Sequence, residues 1–194
     1  MKIVLRFFTI VSLLLIAGCG SSKPDFAKIA RSDPDWLIAR EDSLLKAIPD
    51  DENLNQALLT VHIGRGQAAY DARDWTIAIF HYQRILEWSP RHTQGRFGLA
   101  MAEGQSYFKK GGPNDLWEAI VKFGEAAAID TAQGLPHYWL GKSYEKKDKN
   151  DFDLIVEAYD QAFKKQLPPE MKKAAEDARA VVLHRKEIYK AFWK

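Results

Sequence analysis

Gly66, Tyr70, Asp74, Trp75, Ala78, Ile79, Tyr82, Ile85, Leu86 and Pro90 mark the stretch that decides the fold. Apolar and small residues recur there at three- and four-residue intervals on either side of a break near Arg73 and Asp74. That spacing predicts two short amphipathic helices joined by a tight turn, ended by a proline. Gly66 stands where the two helices must approach closely. One such hairpin cannot bury its own apolar stripe, so the chain needs more of them.

Two further units follow. The second has Leu99, Ala100, Gly104, Tyr107 and Phe108, a break at Gly111-Gly112-Pro113-Asn114, then Leu116, Ala119, Phe123, Ala126 and Ile129. The third has Leu140, Gly141 and Tyr144, then Phe152, Ile155, Tyr159 and Ala162, and stops before Pro168 and Pro169. Upstream, Asp33-Pro34 reads as a cap and first turn for a helix carrying Trp36, Leu37, Leu44, Leu45 and Ile48. Asp50, Asp51 and Glu52 then suit the next helix start, where the dipole favours acids. A last helix from about Glu170 towards Trp193 places Met171, Ala175, Ala178, Val182, Tyr189 and Phe192 roughly on one face, as a cap over the last repeat. No stretch alternates with period two, so no sheet is expected. The expected fold is all-α, an α-α superhelix of about three helical hairpins over 59–168. Flanking helices occupy 33–58 and 169–194.

Leu140-Gly141 with Tyr144 resembles the L-G-x-x-Y core of tetratricopeptide repeats. Ala119, Phe123 and Ala126 resemble the second-helix signature of that family, and Ala78, Tyr82, Ile85 and Pro90 a close variant. The resemblance implies that Gly66, Ala78, Pro90, Ala119 and Gly141 serve repeat packing. Some positions depart from the pattern. His62 and His137 stand where the family places tryptophan, Ile155 replaces an alanine, and the second helices are spaced by about 41 and 36 residues rather than 34. Longer loops near Gly111 and Asp148 are the expected source of that excess.

The resemblance also implies a concave groove lined by the first helix of each repeat. By register it nominates Ile63, Gln67 and Tyr70, then Met101, Gln105 and Phe108, then Tyr138, Lys142 and Glu145. That mixture of rings, apolar chains and amides suits an extended or helical protein segment. Ile63 and Gln67 occupy positions where the family's clamp for carboxyl termini needs lysine and asparagine, so chaperone-tail binding is not implied.

The amino terminus is read as an address. Lys2 and Arg6 precede an apolar run from Phe7 to Ala17, too short to span a bilayer but suited to a secretory leader. Leu15-Ile16-Ala17-Gly18-Cys19 resembles the bacterial lipoprotein signal. The resemblance implies cleavage after Gly18, lipidation of Cys19 and a lipid anchor in the membrane. Gly20, where an aspartate would retain the protein at the inner membrane, favours a periplasm-facing outer-membrane address. Residues 19–32 are then the lipidated cysteine and a flexible tether.

Composition narrows the chemistry. The chain carries 46% hydrophobic and 28% charged residues, as a folded body needs. Its net charge of +2 falls to neutral without Lys2 and Arg6, which argues against general nucleic-acid binding. One cysteine excludes an intrachain disulfide and a cysteine zinc site. Gly141-Lys142-Ser143 ends like a phosphate loop, but Pro136 replaces its first glycine. Gly64, Gly66 and Ala69 fit a dinucleotide fingerprint without the strand it requires. His62, His81, His92, His137 and His184 form no metal-ligand spacing. Asp148, Asn150, Asp151 and Asp153 lack the glycine and distal glutamate of a calcium loop and suit helix capping. No G-x-S-x-G occurs. No cofactor, metal or catalytic activity is expected. The expectation is a membrane-anchored scaffold or adaptor for a protein partner in cell-envelope assembly, secretin or pilus biogenesis, or cell-wall enzyme recruitment. The alternatives are an envelope enzyme or small-ligand receptor using the groove, and a membrane-surface binder using the C-terminal helix. In that helix region, 164–194, nine bases face four acids.

Overall fold

The computed structural model describes residues 24–193. The leader, Cys19 and the start of the tether lie outside these residues. Ten helices follow one another, and no strand occurs among the described residues. Three short helices come first: α1 (Phe26–Ser32), α2 (Pro34–Ala39) and α3 (Glu41–Ala47). Three hairpins follow, built from α4 (Glu52–Asp71) with α5 (Trp75–Trp88), α6 (Thr93–Lys110) with α7 (Pro113–Ile129), and α8 (Leu135–Lys147) with α9 (Phe152–Phe163). The last helix is α10 (Pro169–Phe192). Each helix from α4 onward packs on its chain neighbours, α1–α3 rest on α4, and α10 rests on α9 and touches α8. The architecture is an all-α superhelix of helical hairpins with caps at both ends.

Helix starts follow from side chains that satisfy free amides. Asp33 accepts from the Trp36 amide at 3.0 Å, Asp51 from Leu54 at 3.0 Å and Asp74 from Ile77 at 3.1 Å. His92 does the same for Gly95 through Nδ1 at 3.1 Å. The calcium-like acids find partners within the protein: Asp148 accepts from the Asn150 amide at 2.8 Å, and Asp153 of α9 pairs with Lys186 of α10 at 2.5 Å.

Every hairpin is closed by one aromatic ring laid on a glycine. A Cβ on Gly66 would lie 2.9 Å from the Tyr82 ring, one on Gly104 2.6 Å from Phe123, and one on Gly141 2.7 Å from Tyr159. Tyr82 is held from its other side by Gly98 of α6, a contact the motif reading missed. Ala78, Ala119 and Ile155, one turn before these rings, have no exposed surface. Gly64 and Gly124 differ, because a Cβ on either meets nothing within 4 Å. Both sit inside helices, so Gly64→Ala and Gly124→Ala should each stabilise by about 0.5–1 kcal/mol through lost chain entropy. Thermal melting checks this, and a lower midpoint for either would contradict the open space around them.

Three expectations are corrected. The excess spacing of the second unit is not in a longer loop, since only Gly111 and Gly112 separate α6 from α7. It lies in helix: eleven residues run from Pro113 to Phe123, where eight run from Trp75 to Tyr82. The region expected as one helix from Pro34 to Ile48 breaks at Arg40 (φ −114°, ψ 2°), which ends α2 and precedes α3; Leu37 and Glu41 are buried on either side of the break. The stretch 26–32, assigned to the tether, is helix α1, pinned by Phe26, which packs with Leu37, Leu54 and Leu58.

Candidate functional site

The first helices of the hairpins, α4, α6 and α8, contribute the nine nominated groove positions. From the first unit, Ile63 and Tyr70 are half-buried and Gln67 is exposed. Gln67 donates to Asp71 at 2.9 Å, and the Tyr70 ring meets Trp75 edge-on at 5.1 Å. Burial pushes the Tyr70 hydroxyl well above the usual phenol range, against the pull of the Gln105 amide beside it. From the second unit, Met101 and Gln105 are buried and Phe108 is half-buried, its ring edge-on to Trp139 at 5.3 Å.

These residues border two open cavities. One, of about 450 Å³, has Gln67, Tyr70, Gln94, Phe97, Met101 and Gln133 among its walls. It lies where α4, α6 and the start of α8 converge. The second, of about 460 Å³, takes in Gln105 and Phe108 one helical turn further along α6. Five of the nominated residues, Gln67, Tyr70, Met101, Gln105 and Phe108, are thus brought together along one side of the array. Ile63 packs instead with the cluster around Ala78 and Tyr82.

The third unit is arranged differently. Tyr138 is buried against Trp139 and Tyr159. Glu145 accepts from Arg185 of α10 at 3.0 Å. Burial, and then the Glu145 charge, raises the Tyr159 hydroxyl above the usual phenol range. Lys142 is half-buried on the same helix. The register that nominated this trio did not foresee that α10 lies against α8. Tyr138 and Glu145 therefore serve the joint between α8, α9 and α10.

A second polar site is internal. His62 of α4 is fully buried, with Nε2 3.1 Å from a Glu41 oxygen and Nδ1 3.0 Å from Nδ1 of His81. Arg84 of α5 lies 3.0 Å from the other Glu41 oxygen and 2.6 Å from Asp42. Burial would raise the Glu41 carboxyl, but the hydrogen bond and charge of His62 and the Arg84 guanidinium hold it below its ordinary value. Burial, then the neighbouring His62 and Arg65, push His81 down to about 4, while Glu41 pulls the other way. Only one proton fits between two Nδ1 atoms 3.0 Å apart, since one must donate and the other accept. The cluster joins α3 to the first hairpin, and its four members Glu41, His62, His81 and Arg84 wall neither of the two groove cavities. Its geometry suits a structural tie, since each member is bonded to another within the cluster. His62, where the repeat pattern that the sequence resembles has tryptophan, was the visible signal; its partner, 21 residues earlier on a separate helix, was not.

The exposed end of α10 is also distinctive. Val182 is fully buried, but Tyr189, Phe192 and Trp193 are 45%, 77% and 70% exposed. The apolar face of this helix therefore runs on past the body it caps.

No protein-family model matches the chain, and no curated protein matches it. Fold and site together define a capped array of helical hairpins with a groove along its first helices.

Proposed function

We propose that this protein is a lipid-anchored, periplasm-facing scaffold of the tetratricopeptide type that holds a protein partner in the bacterial cell envelope. Its work is binding rather than catalysis. The observation that carries this reading is the groove along α4 and α6, where Gln67, Tyr70 and Met101 wall an open cavity of about 450 Å³. Rings and methionine supply apolar area, and the amides of Gln67, Gln94 and Gln133 match the alternating donors and acceptors of an extended main chain. The class of partner is a component of envelope assembly, secretin or pilus biogenesis, or cell-wall remodelling.

The test places a photo-crosslinker at Gln67 and at Phe108, with Val121 on the second helix α7 as control. The expected result is one protein captured from both groove positions and not from Val121. Capture from all three positions alike, or from none, overturns the groove as the contact surface. The anchor is tested apart from it: Cys19→Ala should abolish processing of the leader and change membrane fractionation. Unaltered fractionation and processing would overturn the lipid anchor. A second reading, contact with the membrane surface, is favoured by the exposure of Phe192 and Trp193 beside Lys190 at the end of α10.

A further inference from the structure

We infer that the end of the groove where α4 turns into α5 is a receptor for an acidic peptide segment bearing an aromatic side chain. The inference rests on the groove reading above and specifies the ligand of one end of it. The cavity there, about 460 Å³, is lined by Arg73, Trp75, Gln105, Phe108, Lys109 and Trp139. Three rings make its wall and two cations its rim. Phe108 and Trp139 meet edge-on at 5.3 Å, and Tyr70 braces Trp75 at 5.1 Å, so the rings are held in place. Further positive charge stands close by: Lys146 Nζ lies 4.6 Å from the Phe108 ring centre and Lys110 Nζ 4.8 Å from that of Tyr107. Among the described residues, Arg73, Lys109 and Lys110 belong to no ion pair.

The backbone supplies an independent observation. Arg73 has φ of 60°, and the only other described residue with positive φ is Gly111, at 73°. The two are equivalent, each seven residues beyond the packing glycine of its first helix, Gly66 or Gly104. At this turn the second hairpin uses the residue for which a left-handed backbone is free of strain. The first hairpin holds an arginine there, in a conformation unfavourable to any side chain with a Cβ. Lys109 and Lys110 answer the dipole at the end of α6, but the last turn of α4 carries no basic residue at all. Arg73 is therefore strained with no partner in the fold, at the mouth of an aromatic cavity. Strain kept in such a place points to a ligand.

The chemistry of the pocket sets the ligand class. Aromatic walls take a ring, and a guanidinium with an ammonium at the rim takes carboxylates. A peptide fits better than a nucleic acid, because the chain as a whole is near neutral and nucleic-acid binding draws on a large excess of positive charge. The cavity also lies one turn of α6 from the amide-lined one, so an extended chain can run from one to the other.

The test uses the purified full-length chain and a fluorescein-labelled synthetic peptide alternating aspartate and phenylalanine with glycine spacers. Comparison probes carry lysine for aspartate, or serine for phenylalanine, and labelled oligothymidylate is run alongside. Anisotropy should show the acidic aromatic peptide bound in preference to all three, and more weakly as salt is raised. Arg73→Gly and Lys109→Gln should each weaken it about tenfold. Arg73→Gly should melt at the same temperature or higher, which separates lost binding from lost folding. Equal binding of the lysine peptide, or unchanged affinity in both variants, would overturn the inference. If both peptides bind alike and Met101→Ala weakens both, the groove reading survives and the acidic specificity does not. Binding of oligothymidylate without any peptide overturns both.

Discussion

Phe123→Ala should lower the unfolding free energy by about 3–5 kcal/mol, the loss typical of truncating a fully buried aromatic ring. The ring is fully buried, lies against Gly104, and stacks with Trp139 of the next hairpin at 6.0 Å and 20°. Its removal empties space between α6, α7 and α8 together, and a rigid helix triplet collapses poorly into a void. The complementary change is Gly104→Ala. In most helix interiors this substitution gains about 1 kcal/mol. Here the new methyl would stand 2.6 Å from the ring, and overpacking should cost about 1–3 kcal/mol instead. The two changes are not independent. In the Phe123→Ala background the methyl enters the void, so Gly104→Ala should become neutral or stabilising. Chemical denaturation of wild type, both single variants and the double variant measures the coupling. Additive losses would mean that the glycine and the ring do not share this contact.

That contact is also why the fold was legible in the sequence. Gly66 with Tyr82, Gly104 with Phe123 and Gly141 with Tyr159 recur as small and large partners, and a recurring pair of that kind leaves a trace in one dimension. Helix starts were legible for the same reason: Asp33, Asp51 and Asp74 act on amides three residues away. What depended on distant segments was not. Glu41 and His62 belong to different helices, and nothing local marks one as the partner of the other. Phe26 reads as part of a tether until the pocket formed by Leu37, Leu54 and Leu58 is known. The groove was half legible for a related reason. Register places Tyr70, Met101 and Phe108 correctly on the first helices. The fate of Tyr138 and Glu145 was decided by α10, whose path across α8 and α9 is a tertiary matter. The strain at Arg73 was equally invisible, since φ is a property of the turn and not of the residue type.

Glu41→Ala should cost roughly 3 kcal/mol at neutral pH, because it strands the buried His62 nitrogen and removes a carboxylate from beside Arg84. The loss should be local first. Glu41 links α3 to both α4 and α5, so amide exchange in α3 should rise before exchange in α6–α9. Uniform loss of protection throughout would show that the cluster does not define a separable unit. The same cluster sets how stability depends on pH. His81 has a folded value near 4, below its ordinary 6.5, so the unfolded chain binds more protons between those values. Its contribution is complete above pH 6.5 and is lost as pH falls from 6.5 towards 4, by about 3 kcal/mol in all. Glu41 adds to this at the acid end, since its carboxyl is held below 4.5 and its stabilisation disappears once it protonates. His81→Gln removes the titrating ring while keeping a side-chain amide near His62 Nδ1. Its unfolding free energy should decline less than the wild type's between pH 6.5 and 5, the remaining decline coming from His137, which burial and then Lys165 also hold below its ordinary value. Glu41→Gln should keep the decline due to His81 but lose the steeper fall below pH 4.5. Parallel profiles for wild type and His81→Gln would mean that a second proton enters between the two imidazoles without cost, which two facing Nδ1 atoms 3.0 Å apart do not permit unless the rings separate.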